Sequence, residues 1–349
     1  MTLPPLWPVF DGHNDLLLNL WLQHDDDPAA AFYSRVTPGH LDFSRMRRGG
    51  FFGGLFAVFI PPVSYIAQMR NQTQDEAQAT FDPLAIAERQ IAILQQLEQA
   101  SQGRLRICRT ATEIEQCRLN RQIAAVLHIE GAGMIDAELT QLEAFYRLGV
   151  RSIGPFWNLP NAFGTGVSGP FPGSPDTGPG LTSAGEALIH ACNRRRIMID
   201  VSHMNEKTFW QTAALSRAPL VATHSNAHAL CPQPRNLTDA QLDAIGQSGG
   251  MVGVNFGTAF LRADGKRDSA TTGLTEIVKH VEYLIAKLGE DRVGFGSDFD
   301  GVNVPQPLAD VGGLPLLTQA LAQAGFDNRL LEKLTWRNWL NVLAATWGE

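Results

Sequence analysis

Eight short apolar runs, spaced by helical segments and polar loops, constrain this chain more than any other feature. They fall at 6–10, 51–60, 123–130, 151–156, 197–203, 219–224, 251–256 and 292–298. The second, FFGGLFAVFI, is apolar throughout and bounded by Pro61-Pro62, which suits a strand buried on both faces. Helical spacing is expected over 16–22, 83–99, 111–118, 136–148, 180–195, 205–215, 238–247 and 275–288, with closing helices near 314–324 and 328–346. Residues 23–50 read as an irregular polar loop. Strands alternating with helices imply a parallel sheet, and eight such units predict an α/β fold closed into a TIM-like (β/α)8 barrel. A doubly wound open sheet is the competing topology. The first strand–helix turn lacks the GxGxxG that would support it.

The chain's 349 residues fit one such barrel, so 1–349 is read as a single domain. A net charge of −7 with no basic tract excludes a nucleic-acid footprint. The most apolar run is too short to span a bilayer, so no membrane partner is expected. The opening Met-Thr-Leu-Pro-Pro has no basic and apolar leader pattern, and Cys108, Cys117, Cys192 and Cys231 form no CxxC. Both point to a reduced, cytoplasmic protein. A homodimer is expected without a residue to argue it from.

Polar groups collect where the runs end. Asp11-Gly12-His13-Asn14-Asp15 follows the first run and puts Asp11, His13 and Asp15 on one face. Glu130 ends the third run, His203 the fifth, His224 the sixth and Asp298 the eighth. Barrels build their sites at these carboxyl ends. Imidazoles and carboxylates without a cysteine set argue for a catalytic metal site. Five strong ligands exceed the needs of one zinc, so two metals bridged by a carboxylate are the economical arrangement, and one suited to hydrolysis.

In DGHND (11–15), HIEG (128–131), GLTSAGEALIHACNRRRIMIDVSH (180–203), THSNAHALCPQPRNLTD (223–239) and GFGSDFDG (294–301), the chain resembles the renal (membrane) dipeptidase family of zinc peptidases. The resemblance implies an eight-stranded α/β barrel that hydrolyses free dipeptides with two Zn2+ per chain and a metal-bridging hydroxide. It implies His13 and Asp15 on one metal, His203 and His224 on the other, and Glu130 between them. Asp298 would be the acid/base residue, and Arg235 would bind the dipeptide carboxylate. Two departures stand out. Where animal members carry a histidine after the fourth strand, this chain reads GPFWNLPNAFG (154–164), so Trp157 is expected to line the pocket. Oxyanion help would fall to Asn158, Asn161, a backbone amide or the metal. Where they carry a tyrosine after the seventh strand, it reads Asn255-Phe256-Gly257. Acceptance of a D-residue at the carboxyl end is left open.

Other polar residues receive plainer readings. Asp300 would orient Asp298 or bind the substrate amine, and Asp11 would fix His13. Asp200 is expected to pack against a helix, and Arg235 has pairing with Asp239 as its rival role. His128 is read as core or supporting, His228 as a loop residue, and His24, His40, His190 and His280 as ordinary surface residues. Two alternatives remain. One is a metal-dependent amide or lactone hydrolase of amidohydrolase type, against which His-x-Asp and Glu130 stand in place of HxH and a lysine bridge. The other is a silent ligand-binding barrel.

Overall fold

A computed structural model describes residues 6–34 and 38–348. The reading of Met1–Pro5 lies outside them. The strands are β1 (Val9–Asn14), β2 (Phe51–Phe59), β3 (Leu105–Ile107), β4 (Ile123–Glu130), β5 (Val150–Gly154), β6 (Met198–Ile199), β7 (Val221–Ala222), β8 (Met251–Val254) and β9 (Val293–Phe295). All pairings are parallel, in the order β6-β5-β4-β2-β1-β9-β8-β7. A single parallel bridge, Asp200 to Val221, closes the ring between β6 and β7, with Val201 N donating to Val221 O at 2.8 Å. The result is the expected TIM-like barrel, with helices outside.

Every predicted strand is present, and one more. β3 pairs with Ile123–Ala125 of β4, beside the stretch that β5 occupies at Leu127–Glu130. Three residues are too few for alternation to register in a sequence. The stretch 23–50, expected to be irregular, holds two helices, Pro28–Ser34 and Phe43–Gly49. The second is set by its ends: Asp42 accepts from Arg45 N, and Gly50 closes it at φ 76°. Conversely, the helix expected from 136 begins only at Leu142, because the Asp136 carboxylate takes the Thr140 amide into a turn. No described helix is long and apolar enough to cross a membrane.

Two apolar layers hold the fold. The larger lies between sheet and helices. The smaller fills the lower barrel with Phe10, Leu55, Val126, Met198, Val221 and Met251 and is completed from below by Trp339 of the helix Asn338–Trp347. Trp339 is fully buried and its Nε1 donates to Phe295 O at 2.9 Å. Any side chain at Gly12 or Gly294 would collide with its ring, and one at Gly253 would press on it at 3.0 Å. Trp339→Phe loses one hydrogen bond and part of the ring volume, so it should lower stability by about 1–2 kcal/mol. Denaturant unfolding reads this directly; an unchanged midpoint would mean that the indole is not a fitted plug.

Candidate metal centre at the carboxyl end of the barrel

β1 delivers two groups. His13 is fully buried, and neither ring nitrogen has a hydrogen-bond partner. Asp15 stands at the N-cap of the helix Leu16–Gln23, yet its side chain caps nothing and Oδ1 is unpartnered. β4 ends in Glu130, whose two oxygens divide. Oε2 lies 3.6 Å from His13 Nε2; Oε1 lies 3.0 Å from His203 Nε2 and 3.4 Å from His224 Nε2. The two Nε2 atoms of His203 and His224 are 3.0 Å apart, and Asp15 Oδ2 is 3.5 Å from His13 Nε2. His203 follows β6 in the left-handed region, φ 63°. That conformation costs a non-glycine residue energy and recurs at functional sites.

The donor set fits metal ions. Asn158 Oδ1 sits 2.8 Å from His203 Nδ1, so the ring proton lies on Nδ1 and Nε2 offers a lone pair. That lone pair, a carboxylate oxygen and a second imidazole converge, while His13 and Asp15 offer buried atoms without partners. Burying such atoms together is costly unless a cation gathers them. Among the described residues, two sets of three have donor atoms within 4.8 Å of one another: His13, Glu130 and His224; and His13, Asp15 and Asp298. The titration of the protein groups tells the same story. Burial lifts Glu130 to about 8 and Asp298 to about 6. Burial works to lower His13, but the Glu130 and Asp15 carboxylates outweigh it and raise it to about 10. Burial holds His203 and His224 well below the ordinary histidine value.

Asp298, just past β9, also has positive φ, 58°. Its amide donates to His13 O at 3.0 Å, and its Oδ2 accepts from Asn255 Nδ2 at 2.8 Å. A Cβ at Gly301 would collide with both Asp15 Oδ2 and Asp298 Oδ1, so only glycine lets these carboxylates approach. Asp300 turns to the segment above: its Oδ1 accepts from the His40 amide, and its own amide donates to His40 Nδ1 at 2.9 Å. Its Oδ2 is buried without a partner.

Arg235 is buried. Its guanidinium donates to Ser225 Oγ at 2.7 Å and to His224 O at 2.9 Å, and Nε has no partner. Among the described residues no carboxylate lies within ion-pair distance of it. Its rival partner Asp239 is held instead by Lys287 at 2.6 Å and by Tyr283 at 2.7 Å. Trp157 stands between Phe59, ring centroids 5.2 Å apart, and His203, 6.4 Å apart. Asn158 spends its oxygen on His203, and Asn161 closes a turn through Pro155 O and Phe163 N.

Several plainer readings change. Asp11 accepts from Ser297 N and Oγ, both at 2.7 Å, tying β1 to β9 rather than holding the His13 ring. Asp200 is buried and bonds within the barrel rather than packing on a helix. His40 latches onto Asp300. His280 is buried, its Nδ1 accepting from Ala227 N and its Nε2 facing Leu261 O. His280 is thus no surface residue, and His40 is only partly exposed. His128 is buried beside Ser152 and Asp200, and His228 anchors a loop at Gly173 O, both as expected. Asn255, Thr223, Ser297 and His40 carried no signal beyond their types, although Asn255 does fall where the family resemblance breaks.

Comparison with known proteins agrees with this geometry. The membrane dipeptidase profile (peptidase family M19) matches residues 3–347. A metallopeptidase from Rhodobacter sphaeroides, solved with a phosphinate mimic of the dipeptide L-Ala-D-Ala, superposes with a TM-score of 0.91 at 45% identity, covering 98% of this chain and 100% of that one. An uncharacterized protein in the pqqA 5′ region of Klebsiella pneumoniae is 62% identical over 268 residues, 77% of this chain and 98% of its own length. Dipeptidase verJ of Clonostachys rogersoniana is 30% identical over 341 residues, 96% of this chain and 83% of its own. With a match along nearly its whole length and a metal-ready cluster at the barrel mouth, the chain belongs to the membrane dipeptidase family of metallopeptidases.

Proposed function

We propose that this protein is a cytoplasmic, single-domain dinuclear zinc dipeptidase that cleaves free dipeptides and accepts a D-residue at the carboxyl end. One observation carries the reading. Arg235, a buried guanidinium without a carboxylate partner, is anchored on the carbonyl of His224, so a cationic socket adjoins a cluster of metal donors. Buried charges are paired or ligated, and a guanidinium matches a carboxylate in a two-point fork. The missing partner is the terminal carboxylate of the substrate. The socket therefore measures substrate length: a residue beyond the second would move that carboxylate out of reach.

In this reading His13 and Asp15 would hold one zinc and His203 and His224 the other, with Glu130 between them. Zinc bound there supplies Lewis acidity toward the scissile carbonyl and brings the pKa of water toward neutrality. The rest falls to the protein. Arg235 fixes the substrate by its carboxylate, and Trp157 walls the pocket beside His203. Asp298 takes a proton from the attacking water and returns it to the leaving amine. Asn158 orients His203, and the unpartnered Oδ2 of Asp300 is offered to the substrate amine. Acceptance of a D-residue draws support from the dipeptide mimic in the Rhodobacter sphaeroides relative.

The test joins metal analysis to a dipeptide panel of L,L and L,D pairs, with N-acetylated and C-amidated controls. We expect about two zinc ions per chain, activity lost to a chelator and regained with zinc, and turnover far faster where the carboxylate is free than on the amides. Binding near one ion per chain would refute the dinuclear centre. Equal turnover of dipeptide amides would refute the role of Arg235.

A further inference from the structure

We propose that Asp200 and Thr223 form a positioning relay that locks His224 in its metal-binding tautomer. The proposal rests on the reading of His224 as a ligand. Thr223 Oγ1 donates to Asp200 Oδ2 at 2.6 Å and also lies 2.7 Å from His224 Nδ1. A hydroxyl has one proton, and here the carboxylate takes it. Thr223 Oγ1 must then accept, so the imidazole proton sits on Nδ1 and donates to it. His224 Nε2 is left bare and faces Glu130 Oε1 and His203 Nε2. Without the relay, the neutral ring is free to carry its proton on Nε2, where it blocks coordination.

Asp200 itself is immobilised. Its Oδ1 accepts the amides of Ser202 and Thr223, both at 2.9 Å, and its Oδ2 lies 3.5 Å from His128 Nε2. It also stands at the single bridge that closes β6 on β7. One carboxylate thus joins the barrel seam and, through a hydroxyl, aims a ligand on the strand beyond it. Asp200 variants would disturb both functions, so Thr223 is the cleaner probe.

Zinc affinity is measured by competition with a chromophoric chelator on the full chain for wild type, Thr223→Val, Thr223→Ser and His224→Ala. 15N spectra of the metal-free forms report the imidazole tautomer. We expect Thr223→Val to weaken one of the two zinc sites by about 10–100-fold and to move the His224 proton to Nε2. Thr223→Ser, which keeps the hydroxyl, should restore both, a rescue that a purely structural role would not give. Should the valine variant fail to fold, Thr223→Ala removes the same hydroxyl without adding a methyl group. Wild-type zinc affinity and an unchanged tautomer in the valine or alanine variant, with His224→Ala weakened, would overturn the relay and leave the ligand assignment standing. Two unweakened sites in His224→Ala would instead overturn that assignment and the relay with it.

Discussion

Asp298→Asn should keep its zinc and lose about 10³–10⁴ in kcat, the upper range for a positioned acid/base. Asparagine matches the shape of aspartate, and the backbone bond from residue 298 to His13 O is untouched. His13, Asp15, Glu130, His203 and His224 do not depend on Asp298 for their places. What disappears is a group able to take up and release a proton. Burial lifts that group to about 6, close to where proton exchange is efficient at neutral pH. Zinc content and steady-state rates are measured on the same preparation. Full turnover with full metal would remove Asp298 from the mechanism.

The second large effect belongs to Arg235. Arg235→Met should lower kcat/KM for free dipeptides by about 10²–10³, as expected when one partner of a desolvated charge pair is removed. Most of the loss should appear in KM, because the carboxylate is bound alike in ground and transition states. Dipeptide amides supply the control. They lack the charge that Arg235 reads, so wild type and variant should cleave them at similar, low rates. An equal loss on both substrates would mean that Arg235 acts by supporting Ser225 and His224, to which its guanidinium donates.

The barrel and the convergence of polar side chains at its mouth are legible in the sequence because both depend on one pattern. Buried parallel strands are apolar along their length, so polar residues at the ends of the runs mark the barrel mouth; His13, Glu130, His203, His224 and Asp298 follow this pattern. What escaped depends on bonds between distant positions. Nothing local marks Asn158 as the partner of His203, or Asp200 as an acceptor for Thr223. Asp200 departs from the expected packing for a definite reason. Alternation counted back from His203 holds only in an extended strand, but β6 stops at Ile199 and His203 takes a left-handed turn. Parity between residues 200 and 203 therefore means nothing. His40 departs from an ordinary surface role for a related reason: its partner Asp300 is 260 residues away.

The plug formed by Trp339 has a consequence for how the chain reaches its native state. The indole fits against Gly12, Gly253 and Gly294, so the first, eighth and ninth strands must be aligned before it can seat. The contact with Gly12 spans nearly the whole sequence, and contacts of such separation form late because a long loop must close first. Until it seats, the lower barrel is an open cup whose apolar floor meets water. Refolding is therefore expected to end in a slow docking step of the helix Asn338–Trp347, with the strand ends that carry His13, Glu130 and His224 brought into register only when the opposite mouth is corked.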